Sequence, residues 1–178
     1  MKRELAQFDR TATAILQEKP LWLRPVMQLV SFVGHPVLIT ALAFGISIIS
    51  YSQGGLRQSY TLLLCCIAAL SSSVLKLALR RARPDTIYAR NMWPKTNSFP
   101  SGHAFTMAVM AGIAAYYANL RLIEPWGTVA VVALVGSVIV VGYSRIYLGA
   151  HYVFDVLAGW GLGLFALSLL LTFAGAGD

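Results

Sequence analysis

Long apolar runs alternate with short polar breaks along this chain. Five runs reach the ~18–20 mostly apolar residues that cross a bilayer as a helix. They cover roughly residues 26–50, 59–80, 102–120, 126–147 and 151–174. The first holds His35 and Pro36, and the second carries Lys76 near its end. Residues 1–24 follow another rule. Leu5, Phe8, Ala12, Ile15 and Leu16 recur at helical spacing, with Lys2, Arg3, Asp9 and Arg10 between them. This is the pattern of an amphipathic helix that lies on a membrane surface, with Trp22 as an interfacial anchor. The expected fold is all-α: a polytopic membrane helix bundle of about five transmembrane helices plus an N-terminal surface helix. Residues 25–178 then form one transmembrane domain.

Small residues repeat at four-residue intervals, as Ala104, Ala108 and Gly112 in the third run and as Gly159 and Gly163 in the fifth. Such stripes let helices approach closely in lipid. Counting crossings puts the 81–101 loop, the 144–151 turn and residues 1–24 on one membrane face. The 51–58 loop, the 121–125 turn and the C-terminus fall on the other.

Composition strengthens this picture. Of 178 residues, 57% are hydrophobic and only 12% charged, against about a quarter charged in soluble domains. The mean hydropathy is +0.67. Residues 1–20 contain Glu4, Asp9 and Glu18 and lack the continuous apolar core of a signal peptide. Cys65 and Cys66 are adjacent in an apolar run, so they point to different helix faces. They read as small core residues rather than as a disulfide or metal pair. The net charge is +7. In a membrane chain this fits positive-inside bias, contact with anionic membrane lipids or an anionic substrate, and not nucleic-acid binding.

Three polar clusters converge on the face that holds the 81–101 loop. The first is KLALRRARP, Lys76 to Pro84. Lys76 and Arg83 are two helical turns apart, Ser72 precedes Lys76 by one turn, and Pro84 is expected to end the helix at Arg83. Arg80, Arg81 and Arg90 read as basic residues snorkelling at a helix end. Lys76 lies deeper, and a lysine within a span marks a functional site. The second cluster is FPSGHA. Ser101 is a favoured N-cap, Gly102 permits close backbone approach, and His103 stands in the first turn, where free amides attract anions. The third is SRIYLGAHYVFD, with Ser144, Arg145, His151 and Asp155. His151 and Asp155 are one turn apart, so the carboxylate can hold one ring nitrogen and leave the other as a nucleophile. Arg145 precedes a break at Gly149 and can reach back to an anion. No cysteine, histidine and carboxylate cluster has metal-ligand spacing. The parts suit phosphoryl transfer through a histidine.

These clusters resemble the three signatures of the type 2 phosphatidic acid phosphatase (PAP2) family, K-x6-RP, PSGH and SR-x5-H-x3-D. Every motif position matches in order, and the span pattern extends the likeness over roughly residues 26–170. The resemblance implies His151 as nucleophile of a phosphohistidine intermediate, Asp155 as its orienting partner and His103 as general acid and then base. It implies phosphate binding by Lys76, Arg83, Arg145, Ser101 and Gly102, with no metal or cofactor. Many relatives have six spans, where this chain is expected to have five and a surface helix. His35 matches no signature and reads as a packing or kink residue beside Pro36.

The resemblance to bacterial members implies an inner-membrane protein whose active face lies outside the cytoplasm. Charge bias points the other way. Apart from Lys76, Arg83 and Arg145, the active face carries Lys2, Arg3, Arg10, Lys19, Arg24, Arg80, Arg81, Arg90 and Lys95, and the opposite face only Arg57 and Arg121. The expected substrate is a lipid phosphate: a polyprenyl pyrophosphate, phosphatidylglycerol phosphate or phosphatidic acid. The short 81–101 loop favours a simple phosphate or pyrophosphate headgroup. Two rivals are a vanadate-dependent haloperoxidase-like enzyme, whose known examples are generally soluble and larger, and a non-catalytic anion- or lipid-binding membrane protein. The second does not require the His151–Asp155 pair.

Overall fold

Every regular element among the described residues of the computed structural model, 2–17, 20–93 and 96–175, is helical. Glu18, Lys19, Pro94 and Lys95 lie outside the described residues. The helices are α1 (Lys2–Gln17), α2 (Arg24–Val33), α3 (Pro36–Ser52), α4 (Leu56–Leu79), α5 (Ile87–Arg90), α6 (Gly102–Arg121), α7 (Trp126–Tyr147) and α8 (Val153–Gly175). A single 3-10 turn, Leu21–Leu23, leads into α2.

Among the described residues, four stretches are long and apolar enough to cross a membrane: Leu21–Ser52, Leu56–Leu79, Trp126–Tyr147 and Val153–Thr172. The third expected span, α6, is not among them. Gly102, His103, Thr106, Tyr116, Tyr117 and Asn119 dilute its apolar content. With 20 residues it still measures about 30 Å, the thickness of the hydrocarbon layer. Its neighbours explain why it needs less grease. Residues Gly102 to Ala111 are all buried, so the other helices shield it from surrounding lipid.

The core forms around this helix. Phe105, Val109, Met110 and Ile113 pack with Ala43, Leu62, Ala69 and Leu167. Cys65 and Cys66 are buried there as free thiols. The small-residue stripes face each other. A Cβ on Gly163 would lie 2.7 Å from the Ala108 methyl, and one on Gly159 2.7 Å from the Ser101 carbonyl oxygen. The α6–α8 pair therefore locks Ser101 and His103 against the start of α8.

The first expected span is broken into α2 and α3. Gly34 ends α2, and the His35 ring caps α3 by accepting from Val37 N at 3.3 Å, with Pro36 in the first turn. The second span also departs from expectation. Instead of running to Arg83, α4 stops at Leu79, where Arg80 takes a left-handed conformation with φ 44°. Residues 80–86 then run irregularly to Thr86, the N-cap of α5. Arg83 thus reaches its position on a loop, not on the helical face of Lys76.

Helix α1 inverts part of its expected orientation. Leu5, Phe8 and Ile15 point outward, as a lipid-facing edge requires. Asp9, expected on a polar outer face, is fully buried, and so is Thr13. Both lie against the start of α8, and Leu16 packs on Ala104, Ile146 and Val156.

Candidate active site

All three polar clusters meet at one end of the bundle. The C-terminal end of α4, the N-terminus of α6, the end of α7 and the start of α8 bring them there. Ser101 caps α6 by accepting from Ala104 N at 3.4 Å, and that cap does not use the N–H groups of Gly102 and His103. Gly102 admits the lysine: a Cβ there would lie 3.2 Å from Lys76 Nζ. Between α7 and α8 the chain must turn sharply. Gly149 does so at φ +71°, a region that favours glycine, and its carbonyl accepts from Thr86 Oγ1 at 2.9 Å. That contact ties the 81–101 loop to the third cluster.

His151 and Asp155 are both almost or wholly inaccessible. His151 Nδ1 lies 3.5 Å from Asp155 Oδ2 and 3.5 Å from Ser98 Oγ, at the outer limit of hydrogen bonding. Its other nitrogen, Nε2, lies 3.3 Å from Arg83 Nη1. A guanidinium can only donate, so Nε2 carries the lone pair and Nδ1 the proton. Asp155 is held from several sides. Ser98 Oγ donates to Oδ2, Tyr152 N donates to Oδ2 at 2.9 Å, and Arg81 Nη1 donates to Oδ1 at 2.8 Å. Burial comes first in holding the His151 pKa down, to about 3, and the positive charges of Arg145 and Arg83 add to it against the opposing pull of Asp155. The ring is therefore a neutral base at ordinary pH.

Cations crowd the same end of the bundle. Arg83 is half-buried and anchored by donation to Thr96 O at 2.8 Å, Thr96 Oγ1 at 2.9 Å and Ala150 O at 2.9 Å. Arg145 is 2% exposed. It contacts Ser31 Oγ and lies 3.4 Å from the Tyr88 hydroxyl, with Cζ 5.7 Å from the centre of that ring. Among the described residues no carboxylate pairs with Lys76, Arg83 or Arg145. Arg145 Nε and His103 Nε2 are buried with no hydrogen-bond partner.

Of the expected site residues, Lys76, Arg83, Ser101, Gly102, His103, Arg145, His151 and Asp155 come together here. Ser144 does not offer its hydroxyl, which donates to Val141 O at 2.6 Å within its own helix. Arg81 corrects an expectation. It does not snorkel but bridges Asp9 at 2.5 Å and Asp155 at 2.8 Å, and these carboxylates raise its pKa against the lowering effect of burial. Arg90 pairs with Asp85 at 2.7 Å. His35, expected as a packing or kink residue, packs its ring edge-on to His103 with centroids 5.2 Å apart. Ser31, Ser98 and Asp9 carried no motif signal. Ser98, only three residues before Ser101, was the most findable of them.

Nitrogen NMR of the imidazoles in detergent should find His151 neutral from about pH 8 down to about pH 5. A ring that titrates near 6.5 would contradict the buried geometry. The same depression makes folding less favourable as pH falls below 6.5, since the unfolded chain binds a proton there that the folded one does not.

The geometry can be set beside known proteins. The PAP2 superfamily profile matches residues 57–176. Phosphatidylglycerophosphatase B of Bacillus subtilis (strain 168) is 33% identical over 166 residues, which cover 90% of this chain and 79% of that protein. A lipid A 1-phosphatase of Rhizobium etli is 34% identical over 119 residues, which cover 62% of this chain and 47% of that protein, so the match spans just under half of its length. The crystal structure of a transmembrane PAP2 type phosphatidylglycerolphosphate phosphatase from Bacillus subtilis superposes with a TM-score of 0.82 at 25% identity, covering 98% of this chain and 88% of that one. By its three signatures, its fold and these matches, the chain belongs to the PAP2 superfamily.

Proposed function

We propose that this protein hydrolyses the phosphate monoester or pyrophosphate of a membrane lipid through a phosphohistidine at His151. The observation that carries this reading is Arg145, a buried cation with no carboxylate partner among the described residues and an unpartnered Nε, beside a neutral histidine backed by a carboxylate. A buried charge of this kind is costly unless an anion meets it. A phosphoryl group does so, and its three non-bridging oxygens suit Lys76, Arg83 and Arg145 together with Ser101 Oγ and the Gly102 N–H.

The steps follow from the ring geometry. His151 Nε2 attacks phosphorus, the bond from phosphorus to the leaving oxygen breaks, and His103, protonated once the anionic substrate is bound, gives that oxygen a proton. Asp155 stabilises the positive ring that forms. In the second step neutral His103 takes a proton from water, the water oxygen attacks phosphorus, and the P–N bond breaks to release phosphate and free His151. General acid–base help of this type is worth about 10²–10⁴-fold.

The relatives' names support a lipid substrate, phosphatidylglycerol phosphate first. So does an apolar cavity of about 320 Å³ lined by Ile39, Met107, Met110 and Leu134, where an acyl or prenyl tail fits. Its upper residues, Ile39 and Met107, stand one helical turn below His35 and His103. We read α1 as an interfacial helix whose Leu5, Phe8 and Ile15 edge enters the membrane surface, with residues 25–178 as the catalytic domain. We also place the active face outside the cytoplasm, as in the bacterial members that the chain resembles. Two of the cations that argue otherwise, Arg81 and Arg90, are taken up in ion pairs.

Purified protein should release phosphate from phosphatidylglycerol phosphate, undecaprenyl pyrophosphate or phosphatidic acid. His151→Ala should lose at least about three orders of magnitude while remaining folded, and His103→Ala about 10²–10⁴-fold. Full activity in His151→Ala contradicts the mechanism. A reporter fused to the C-terminus should read as cytoplasmic. An external reading would put the active face in the cytoplasm.

A further inference from the structure

The N-terminus of α8 carries the Asp155 that orients His151, yet the sequence gives that helix no cap of its own. His151 and Tyr152 precede it, and neither is a capping residue type. Its first amides are satisfied from elsewhere. Tyr152 N donates to Asp155 Oδ2 at 2.9 Å, Val153 N to Thr13 Oγ1 at 3.1 Å and Phe154 N to Asp9 Oδ1 at 3.0 Å. Two of the three acceptors come from α1, more than 130 residues earlier in the chain.

Asp9 does a second thing. Its Oδ2 takes Arg81 Nη2 at 2.5 Å, and Arg81 Nη1 then reaches Asp155 Oδ1 at 2.8 Å. The guanidinium also lies 4.4 Å from the centre of the Tyr152 ring. An arginine left with one carboxylate tends to grip both its oxygens in a fork. Here Asp9 claims one arm, so Arg81 holds only Oδ1 of Asp155. Oδ2 stays aimed at Ser98 Oγ, Tyr152 N and His151 Nδ1.

We infer that Asp9, from the helix outside the three signatures, is a positioning residue for the reaction: acting through Arg81, it reserves Oδ2 of Asp155 for His151. Helix α1 is then part of the catalytic apparatus and not only a membrane anchor. The relay rests on the reading of His151 as nucleophile.

The test is steady-state phosphate release by the full-length protein in detergent, on whichever lipid of the panel above reacts fastest. Asp9→Asn keeps the volume and an acceptor for Phe154 N but removes the charge that holds Arg81. It should lower kcat about 10- to 100-fold with KM within about twofold. In an Arg81→Gln background the same change should cost nothing further. Thr13→Ala removes the neighbouring cap without touching Arg81. It should lower the melting temperature while leaving kcat within about twofold. Wild-type kcat in Asp9→Asn overturns the relay. So does a loss of kcat in Thr13→Ala as large as that in Asp9→Asn, which would make docking of α1 the whole effect. If Asp9→Asn does not fold, Arg81→Gln takes its place, since a neutral amide removes the guanidinium that Asp9 and Asp155 share. It should show the same kcat-selective loss, and an unchanged kcat there overturns the relay. His151→Ala, run in parallel, separates the two failures. An inactive His151→Ala beside a fully active Asp9→Asn removes the relay alone, and an active His151→Ala removes the mechanism beneath it.

Discussion

A carboxylate shut away from solvent at the end of a membrane bundle is destabilising by several kcal/mol unless hydrogen bonds and a counter-charge meet it. Asp155 is in that position, with no exposed surface. Ser98, Tyr152 N, Arg81 and His151 surround it. These contacts also tie distant parts of the chain together. Ser98 brings in the 81–101 loop, whose Ser98 N donates to Arg81 O at 2.8 Å. The Asp155 carbonyl accepts from Ser101 N at 2.9 Å and so sets the start of α6. Arg81 draws in α1 through Asp9. The carboxylate and the carbonyl of this one residue thus gather the 81–101 loop, α1, α6 and α8 into one site.

The cations obey the opposite logic. Asp9 and Asp155 share Arg81, while Lys76, Arg83 and Arg145 have no carboxylate among the described residues. Neutral anchors hold two of them: carbonyls and Thr96 for Arg83, and Ser31 and Tyr88 for Arg145. Such anchors fix a guanidinium without neutralising it. On the proposed reading the charge is left for an anionic ligand, with the neutral imidazole of His151 beside it. A pocket built in this way favours a group that grows in negative charge on its oxygens, which is what phosphoryl transfer requires.

Much of this was legible in the chain. The apolar runs gave the bundle, and the small residues at 104, 108, 159 and 163 marked helices that pack closely, because both rest on local periodicity; that α6 and α8 meet through them was not legible. The three clusters named residues that do meet at one end of the bundle, since residue type and spacing point to a shared chemistry. What escaped were contacts over long sequence distance. Asp9 looked like one more polar residue of an amphipathic helix, and only its fit against Arg81 and Phe154 N marks it out. Arg81 looked like Arg80 beside it. The α4 helix was expected to end at Arg83, but Arg80 ends it early in a left-handed cap that no glycine announced. His35 was read from its neighbour Pro36, whereas its place beside His103 depends on how α3 packs against α6.

The central claim is that phosphate passes through His151. Its most direct test is acid-free rapid quenching of the enzyme during turnover of a radiolabelled lipid phosphate, followed by mapping of the labelled peptide. A phosphoramidate that survives base and is lost in acid, located on His151 and absent from His151→Ala, is the predicted result. Turnover with no covalent label, or a label on any other residue, would contradict the account.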